Sequence, residues 1–361
     1  MRIIIDINHP AHVHYFYNLY KILIERGHKV CVTAKAKDIS LKLLDNFSIP
    51  YYCTGENKKT IIEKFLSIIK SDYVILKTSL KFKPDLFVGF FSLSASHVGT
   101  LFNKPVIGFA DTEHAKLSII TTAPFTDVVL TPSCFKKDLG KKQIRFNGYM
   151  ELCYLHPNYF TPDSSTLNLL GVKKSEKYVI MRFVSWNASH DLGHSGLSLE
   201  MKRRAVKELS KYAKVFISSE GKLPEDLKKY QIKNPPERMH DALYYATLLY
   251  GESATMASEC AVLGTPAIYL DNDGRGYTDE EEAKYNLVFN FSESLKDQKL
   301  SIKKGIELLR KPDVKKEWRN KSQKMILDKI DVTAFMVWFV ENYPNSVKIM
   351  RKNPDYQYNF R

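Results

Sequence analysis

A chain of 361 residues, 44% hydrophobic and 26% charged, has the make-up of a soluble globular protein with room for two domains. No run of about 18 apolar residues is present, which excludes a helical membrane span, and five cysteines without metal-like spacing suit the reduced thiols of a cytoplasmic protein. The net charge of +14 points to anionic targets. Its basic residues lie in small groups such as Lys35/Lys37 and Lys202/Arg203/Arg204 and form no nucleic-acid motif, so phosphorylated substrates or an anionic membrane face remain and nucleic acid is not expected.

The first strand is predicted over residues 3–7, with the apolar pattern of a buried strand and not of a signal peptide. A loop, NHPAHVH, leads to a helix over about 15–25, where Phe16, Leu19, Leu23 and Ile24 recur on a helical period and Gly27 closes it. A second strand over 29–33 completes a βαβ unit. Ligands of open α/β sheets gather at the carboxyl ends of the strands, which places the loop's His9, His12 and His14 at the functional edge. A helix over 61–69, a strand over 84–90 and a Ser-rich turn running into a helix follow. The strand in KPVIGFAD ends at Asp111, Glu113 and His114, and strands over 127–130 and 144–146 end an N-terminal domain, 1–153. Residues 154–172, with Pro157 and Pro162, read as a linker.

The second alternation fills a C-terminal domain, 173–330. A strand over 178–183 ends near Arg182, and its loop VSWNASHDLGHSGLS carries His190, Asp191 and His194. A helix over 198–212 precedes a strand over 214–218 that ends at Ser219 and Glu220; a helix over 239–245 contains His240. The stretch GESATMASECAVLGTPAIYL, residues 251–270, then reads as tight turn, helix and strand. Free N–H groups at such a helix start make an anion site, and Ser253, Ala254 and Thr255 are small enough to let a phosphate approach. Glu259 lies four residues after Thr255, and helical side chains lean toward the N-terminus, so its carboxylate hangs near that site, placed to accept from a sugar's hydroxyls. The same stretch also reads as an ordinary capped helix between parallel strands. DNDGRGYTDEEE is an acidic loop in which Asp271 can hold sugar hydroxyls; it matches a calcium loop only in part. Helices over 302–309 and 314–327 follow. The apolar VTAFMVWFV, with the basic tail to residue 361, packs back as a helix or rests on a membrane, and packing is expected.

The pieces IDINHPAHVHYF, GFADTEHA, LTPSCFKKDLG, FNGYMELCYLHP, RFVSWNASHDLGHSG and GESATMASE resemble a glycosyltransferase-like family of unknown function. The last piece is also similar to the donor-nucleotide helix of GT-B glycosyltransferases, particularly the lipid-linked peptidoglycan N-acetylglucosaminyltransferase, and of non-hydrolysing UDP-N-acetylglucosamine 2-epimerases. The resemblance implies an α/β GT-B fold: two Rossmann-like parallel-sheet domains facing a cleft, acceptor on the first, donor nucleotide on the second, with a C-terminal crossover helix in 331–361. It implies that Ser253, Ala254, Thr255 and Met256 cradle the diphosphate, that Glu259 holds the ribose, that Arg182 neutralises the leaving group, and that main-chain groups near Met239 and His240 read the base. Ser219 and Glu220 fall on the same donor side. His12 aligns with a histidine of the peptidoglycan transferase, but the Gly-rich turn before it is replaced by Asn8, His9, Pro10 and Ala11.

Sugar transfer needs a base for the acceptor proton, and histidine titrates in the right range. His12 is the first candidate, with His9 and His14 as acceptor or sugar contacts; the three can instead cap the first helix or bind metal, although no further ligand set flanks them. Asp111 and Glu113 orient the imidazole, serve as base, or cap a helix. His190, Asp191 and His194 are expected to contact the transferred sugar or the diphosphate, the alternative being that they only shape a long loop. No metal or cofactor is expected, because the helix start and basic side chains serve the diphosphate. The expected reaction moves a sugar from a nucleoside diphosphate donor, UDP by resemblance, to a cell-surface glycan precursor or lipid-linked acceptor, with peripheral attraction to anionic membrane. A 2-epimerase using Asp111, Glu113 and Glu220 is the alternative, and a non-catalytic nucleotide-sugar-binding scaffold is the third.

Overall fold

Short apolar runs alternating with helical stretches build two parallel sheets, one in each of two units into which the chain divides: Met1–Tyr154 with Lys329–Arg361, and Leu155–Asp328. The computed structural model describes residues 1–56, 60–184 and 196–361.

In the first unit the strands are β1 (Arg2–Ile7), β2 (Lys29–Ala36), β3 (Tyr51–Glu56), β4 (Leu86–Phe90), β5 (Val106–Phe109), β6 (Val128–Pro132) and β7 (Gln143–Phe146), in the spatial order β3-β2-β1-β4-β5-β6-β7. Ile3, Ile4 and Ile5 of β1 are fully buried, as expected for a central parallel strand covered on both faces. Strand order reverses between β1 and β4, the position where open α/β sheets leave a crevice at their carboxyl ends. Asp6 stands there, opposite Thr33 of β2 and Gly89 of β4.

Several boundaries differ from the sequence expectation. The first helix spans Pro10–Glu25, so NHPAHVH is mostly helix and not loop. His9 caps it and Pro10 occupies its first turn, where a fixed φ and a missing N–H are tolerated; the same proline reads as a loop signal in the bare sequence. The helix begun at residue 61 runs on to Phe82, and β3 and the helix Ser40–Asn46 were not foreseen. Residues 154–172, expected as a linker, carry the helix Thr166–Leu170 with Leu167, Leu170 and Val172 buried, and from Leu155 onward they belong to the second unit.

The helix Val332–Glu341 packs on Pro10–Glu25 within the first unit. Phe335, Met336, Phe339 and Val340 are fully buried, so this apolar segment is core and has no face left for a membrane.

In the second unit β8 (Tyr178–Phe183), β9 (Lys214–Ser219), β10 (Leu248–Gly251), β11 (Ala267–Leu270) and β12 (Val288–Phe291) are ordered β12-β11-β10-β8-β9, all parallel. The strand β12 was not foreseen. Gly251 pairs with Arg182, and a Cβ at Gly251 would lie 2.1 Å from the Arg182 carbonyl oxygen; only glycine allows β10 to leave the sheet this close to β8.

Candidate functional site

The carboxyl ends of β8, β9, β10 and β11 carry the residues expected on the donor side. After β10, Ser253 caps the helix Ala254–Leu263, its Oγ accepting from the Met256 N–H at 3.3 Å. By helix geometry the first-turn N–H groups of Ala254 and Thr255 have no helical acceptor and point out of the helix start. Ala254 and Met256 are buried at this end, while Gly264, at φ +68°, closes the other.

Glu259, one turn into that helix, is buried, and its Oε1 lies 3.0 Å from Nε2 of His240 at the start of the helix Met239–Tyr245. The structure therefore brings together two residues assigned separately, Glu259 to the ribose and His240 to the base. A buried carboxylate needs such a partner. Phe160 stands edge-on to the His240 ring, centroids 6.4 Å apart.

Arg182 donates through Nη1 to Ser218 Oγ at 2.8 Å and through Nη2 to Glu220 Oε1 at 2.6 Å. The cation and the acid beyond β9 thus form a pair. Ser219, next along β9, has its side chain on the other face from Ser218 by strand alternation. Asp271 accepts from the Tyr269 hydroxyl at 2.9 Å and the Asp273 N–H at 2.6 Å, with Arg275 3.6 Å away, so it shapes its own turn. The acidic loop is shorter than expected, a helix beginning at Gly276. His190, Asp191 and His194 lie outside the described residues.

Glu252 was missed. Its buried carboxylate accepts from the N–H groups of Val184 at 3.0 Å and Leu197 at 2.5 Å, with Lys202 Nζ 3.3 Å away, joining the end of β8 to the start of the helix Leu199–Leu209. Burial raises its pKa above the usual carboxylate value. An acid directly after a buried strand and before a helix cap was the available signal.

At the first unit's carboxyl edge the hub is another residue that sequence reading left without a role. Asp6 accepts from Asn8 Nδ2 at 2.6 Å, from Thr33 Oγ1 at 2.5 Å and from Ser92 Oγ, tying together the ends of β1, β2 and β4. Burial raises its pKa, and these hydrogen bonds oppose that rise.

His12 is joined to it through Asn8. The imidazole is buried between Phe90 and Tyr15, ring centroids 4.7 and 6.1 Å away, and its Nδ1 accepts from the Asn8 N–H at 3.3 Å. Burial first, then the charges of His9 and Lys37, hold its pKa well below 6.5. The ring is therefore neutral near pH 7, and with Nδ1 accepting, its proton is assigned to Nε2. His9 Nδ1 accepts from the Ala11 N–H at 3.2 Å, the capping alternative realised. His14 stacks on Tyr154 at 5.2 Å and meets Phe47 edge-on at 5.7 Å, and Tyr154 meets Tyr15 at 5.9 Å, so the His14 and His12 rings are linked through Tyr154 and Tyr15.

Asp111 is buried and accepts from the Tyr15 hydroxyl at 3.4 Å and from Thr112 Oγ1 at 2.7 Å. His12, Tyr15 and Asp111 thus form one chain of contacts, and Tyr15 is a member that sequence reading took only for the start of the first helix. Glu113 instead accepts from the Lys136 N–H at 3.1 Å, beyond β6. Among the described residues, no three of His, Cys, Asp and Glu are grouped as metal ligands would be.

The family model described as "Protein of unknown function (DUF354)" matches residues 1–275. An uncharacterized protein of Methanocaldococcus jannaschii is 26% identical over 277 residues, 73% of this chain and 80% of that one. Among solved structures, the spinosyn forosaminyltransferase SpnP superposes with a TM-score of 0.64 at 13% identity, covering 96% of this chain and 99% of that one. The spinosyn rhamnosyltransferase SpnG, complexed with thymidine diphosphate, gives 0.61 at 13% identity, covering 95% and 100%. The UDP-GlcNAc 2-epimerase of Methanocaldococcus jannaschii gives 0.59 at 12% identity, covering 86% and 93%. At such identities the likeness shows the fold, two Rossmann-like parallel-sheet domains of the GT-B kind. With the family model spanning most of its length, the chain belongs to the DUF354 family and is built on the GT-B fold.

Proposed function

We propose that this protein is a glycosyltransferase that takes a sugar from a nucleoside diphosphate donor, UDP being the expected nucleoside diphosphate, and passes it to a glycan or lipid-linked acceptor. The observation that carries this reading is the buried Glu259–His240 pair set one turn behind a small-residue helix start at the carboxyl end of β10. A diphosphate fits the first-turn N–H groups, and a ribose fits beside the carboxylate. The similar fold of SpnG, whose structure contains thymidine diphosphate, is consistent with it.

In transfer, the acceptor oxygen bonds to the anomeric carbon while the bond to the diphosphate oxygen breaks and negative charge grows on the leaving group. The helix start and Arg182 stabilise that charge. We assign the base to Asp111 and not to His12, because a buried imidazole with a depressed pKa is a weak base and carries its proton on Nε2. His12 then donates from Nε2 to the acceptor.

The second reading, a UDP-N-acetylhexosamine 2-epimerase, is favoured by the similar fold of the archaeal epimerase. Incubation of the purified protein with a panel of nucleotide-sugars, with and without membrane extract, separates the two. Release of free nucleotide that membrane extract accelerates supports the transferase; an isomerised nucleotide-sugar formed without acceptor gives the epimerase. Tight binding without turnover identifies a scaffold. Glu259→Ala should weaken nucleotide binding by about tenfold or more, as loss of a charged hydrogen-bond acceptor does; unchanged affinity would sink the donor assignment.

A further inference from the structure

The helix Ile61–Phe82 is built inside out. At 100° per residue, Ile62, Phe65, Leu66, Ile69, Tyr73 and Leu80 share one stripe, interrupted only where Leu76 turns into the core, and they are 75, 62, 58, 52, 61 and 61% exposed. The opposite face carries Ser67, Ser71, Thr78 and Ser79, all buried. The hydroxyls of Ser67 and Ser71 donate to the carbonyls of Glu56 and Thr54 in β3 at 3.2 and 3.3 Å, and Ile75 joins the core beneath. Small polar residues together with Ile75, Leu76 and Phe82 thus seat the helix, while six of its large apolar residues face outward. Six such side chains, more than half exposed, present on the order of 500 Å² of apolar surface, the upper range of what monomers leave uncovered.

The borders of the stripe are charged unequally. One side begins with Glu63, whose carboxylate is taken up by the Thr60 cap, and continues with Lys70, Lys77 and Lys81, all exposed; among the described residues none of the three lysines is in an ion pair. On the other side Asp72 is held by His97 at 3.0 Å. An apolar stripe edged by uncompensated lysines matches a bilayer interface, where side chains enter the boundary of headgroups and acyl chains and ammonium groups meet lipid phosphates. A second copy of the chain is a poorer match: it brings the same lysine row and a like net charge of +14. Among the described residues no helix is long and apolar enough to cross a membrane, so the contact is one of lying on the surface.

We propose that this face of the first unit docks on a bilayer containing anionic lipid, the stripe seated in the headgroup layer and the lysines against its phosphates. The inference rests on this helix alone and stands apart from the reading of the reaction.

Flotation of the full-length protein with vesicles, without nucleotide, tests it. Wild-type protein should float with vesicles of phosphatidylcholine and phosphatidylglycerol, and less with phosphatidylcholine alone. Phe65→Ser/Ile69→Ser should weaken binding at least tenfold, by the apolar burial lost. Lys70→Ala and Lys77→Ala should each weaken it about fivefold, an effect erased at high salt. All four side chains are exposed, so circular dichroism and melting should be unchanged. Wild-type protein that floats with neither vesicle overturns the proposal, as does an apolar double variant that floats like wild type. A dimer in light scattering that Phe65→Ser/Ile69→Ser dissolves also overturns it and gives the face to a second copy.

Discussion

An imidazole that accepts a hydrogen bond at Nδ1 and is kept neutral by burial has one thing left to offer a ligand, the proton on Nε2. His12 is held in that state by the Asn8 N–H and by the rings of Phe90 and Tyr15. His12→Gln, which keeps an N–H donor, should therefore retain far more activity than His12→Ala, whereas Asp111→Asn should lower kcat by at least about a hundredfold, the usual contribution of a general base. If His12→Gln is as inactive as His12→Ala while Asp111→Asn turns over normally, the assignments must be exchanged. The same burial has a consequence for stability. With the folded pKa below the ordinary 6.5, the neutral ring favours the folded chain fully above pH 6.5, and that contribution is lost as pH falls below it. His12→Leu should flatten the acid limb of Tm against pH below 6.5; an unchanged limb would show that His12 does not titrate with unfolding. Sequence made the histidine cluster visible at a functional edge. It did not show which nitrogen was engaged, because that depends on a ring from β4 and a backbone N–H folded over it.

At the scale of elements, β10 with the helix Ala254–Leu263 was readable almost residue by residue, since its punctuation is local: Gly251 before the cap, Ser253 at the cap, Gly264 and Pro266 after the end. The role of Gly251 was not local. It is the near contact with the Arg182 carbonyl that requires glycine, so Gly251→Ala should destabilise the second unit by about 3 kcal/mol or more, read as a drop in urea midpoint. A midpoint within experimental error of wild type would mean β8 and β10 can part without loss. The first helix shows the reverse case. Pro10 is compatible with a loop and with a helix's first turn, and the sequence offered no means to choose; the structure chose because His9 caps the turn. The helix Ile61–Phe82 is more instructive still. Its period announced a helix, yet period alone assigns a stripe without saying which way it faces, and here the large apolar side faces outward.

For the whole molecule, the chain's last 33 residues, Lys329–Arg361, return to the first unit. Phe335 packs on Phe146 with ring centroids 5.9 Å apart, and a Cβ at Gly148 would come within 2.4 Å of the Val332 side chain. Truncation after Asp328 should therefore unfold or strongly destabilise the first unit while leaving the second, whose residues are continuous in sequence, with its own transition in calorimetry. Two transitions unchanged by the truncation would refute the structural role of this segment. The sequence by itself determined the alternation of strand and helix, the two parallel sheets it implies, and the capped helix start after β10, because those follow from periodicity and punctuation within short windows. Tertiary structure alone decided that Glu259 meets His240, that Arg182 meets Glu220, that Asp6 gathers three strand ends, and which helix face is left bare. Each of those depends on groups far apart in the chain, and their encounter is fixed by strand order and register, which no local pattern encodes.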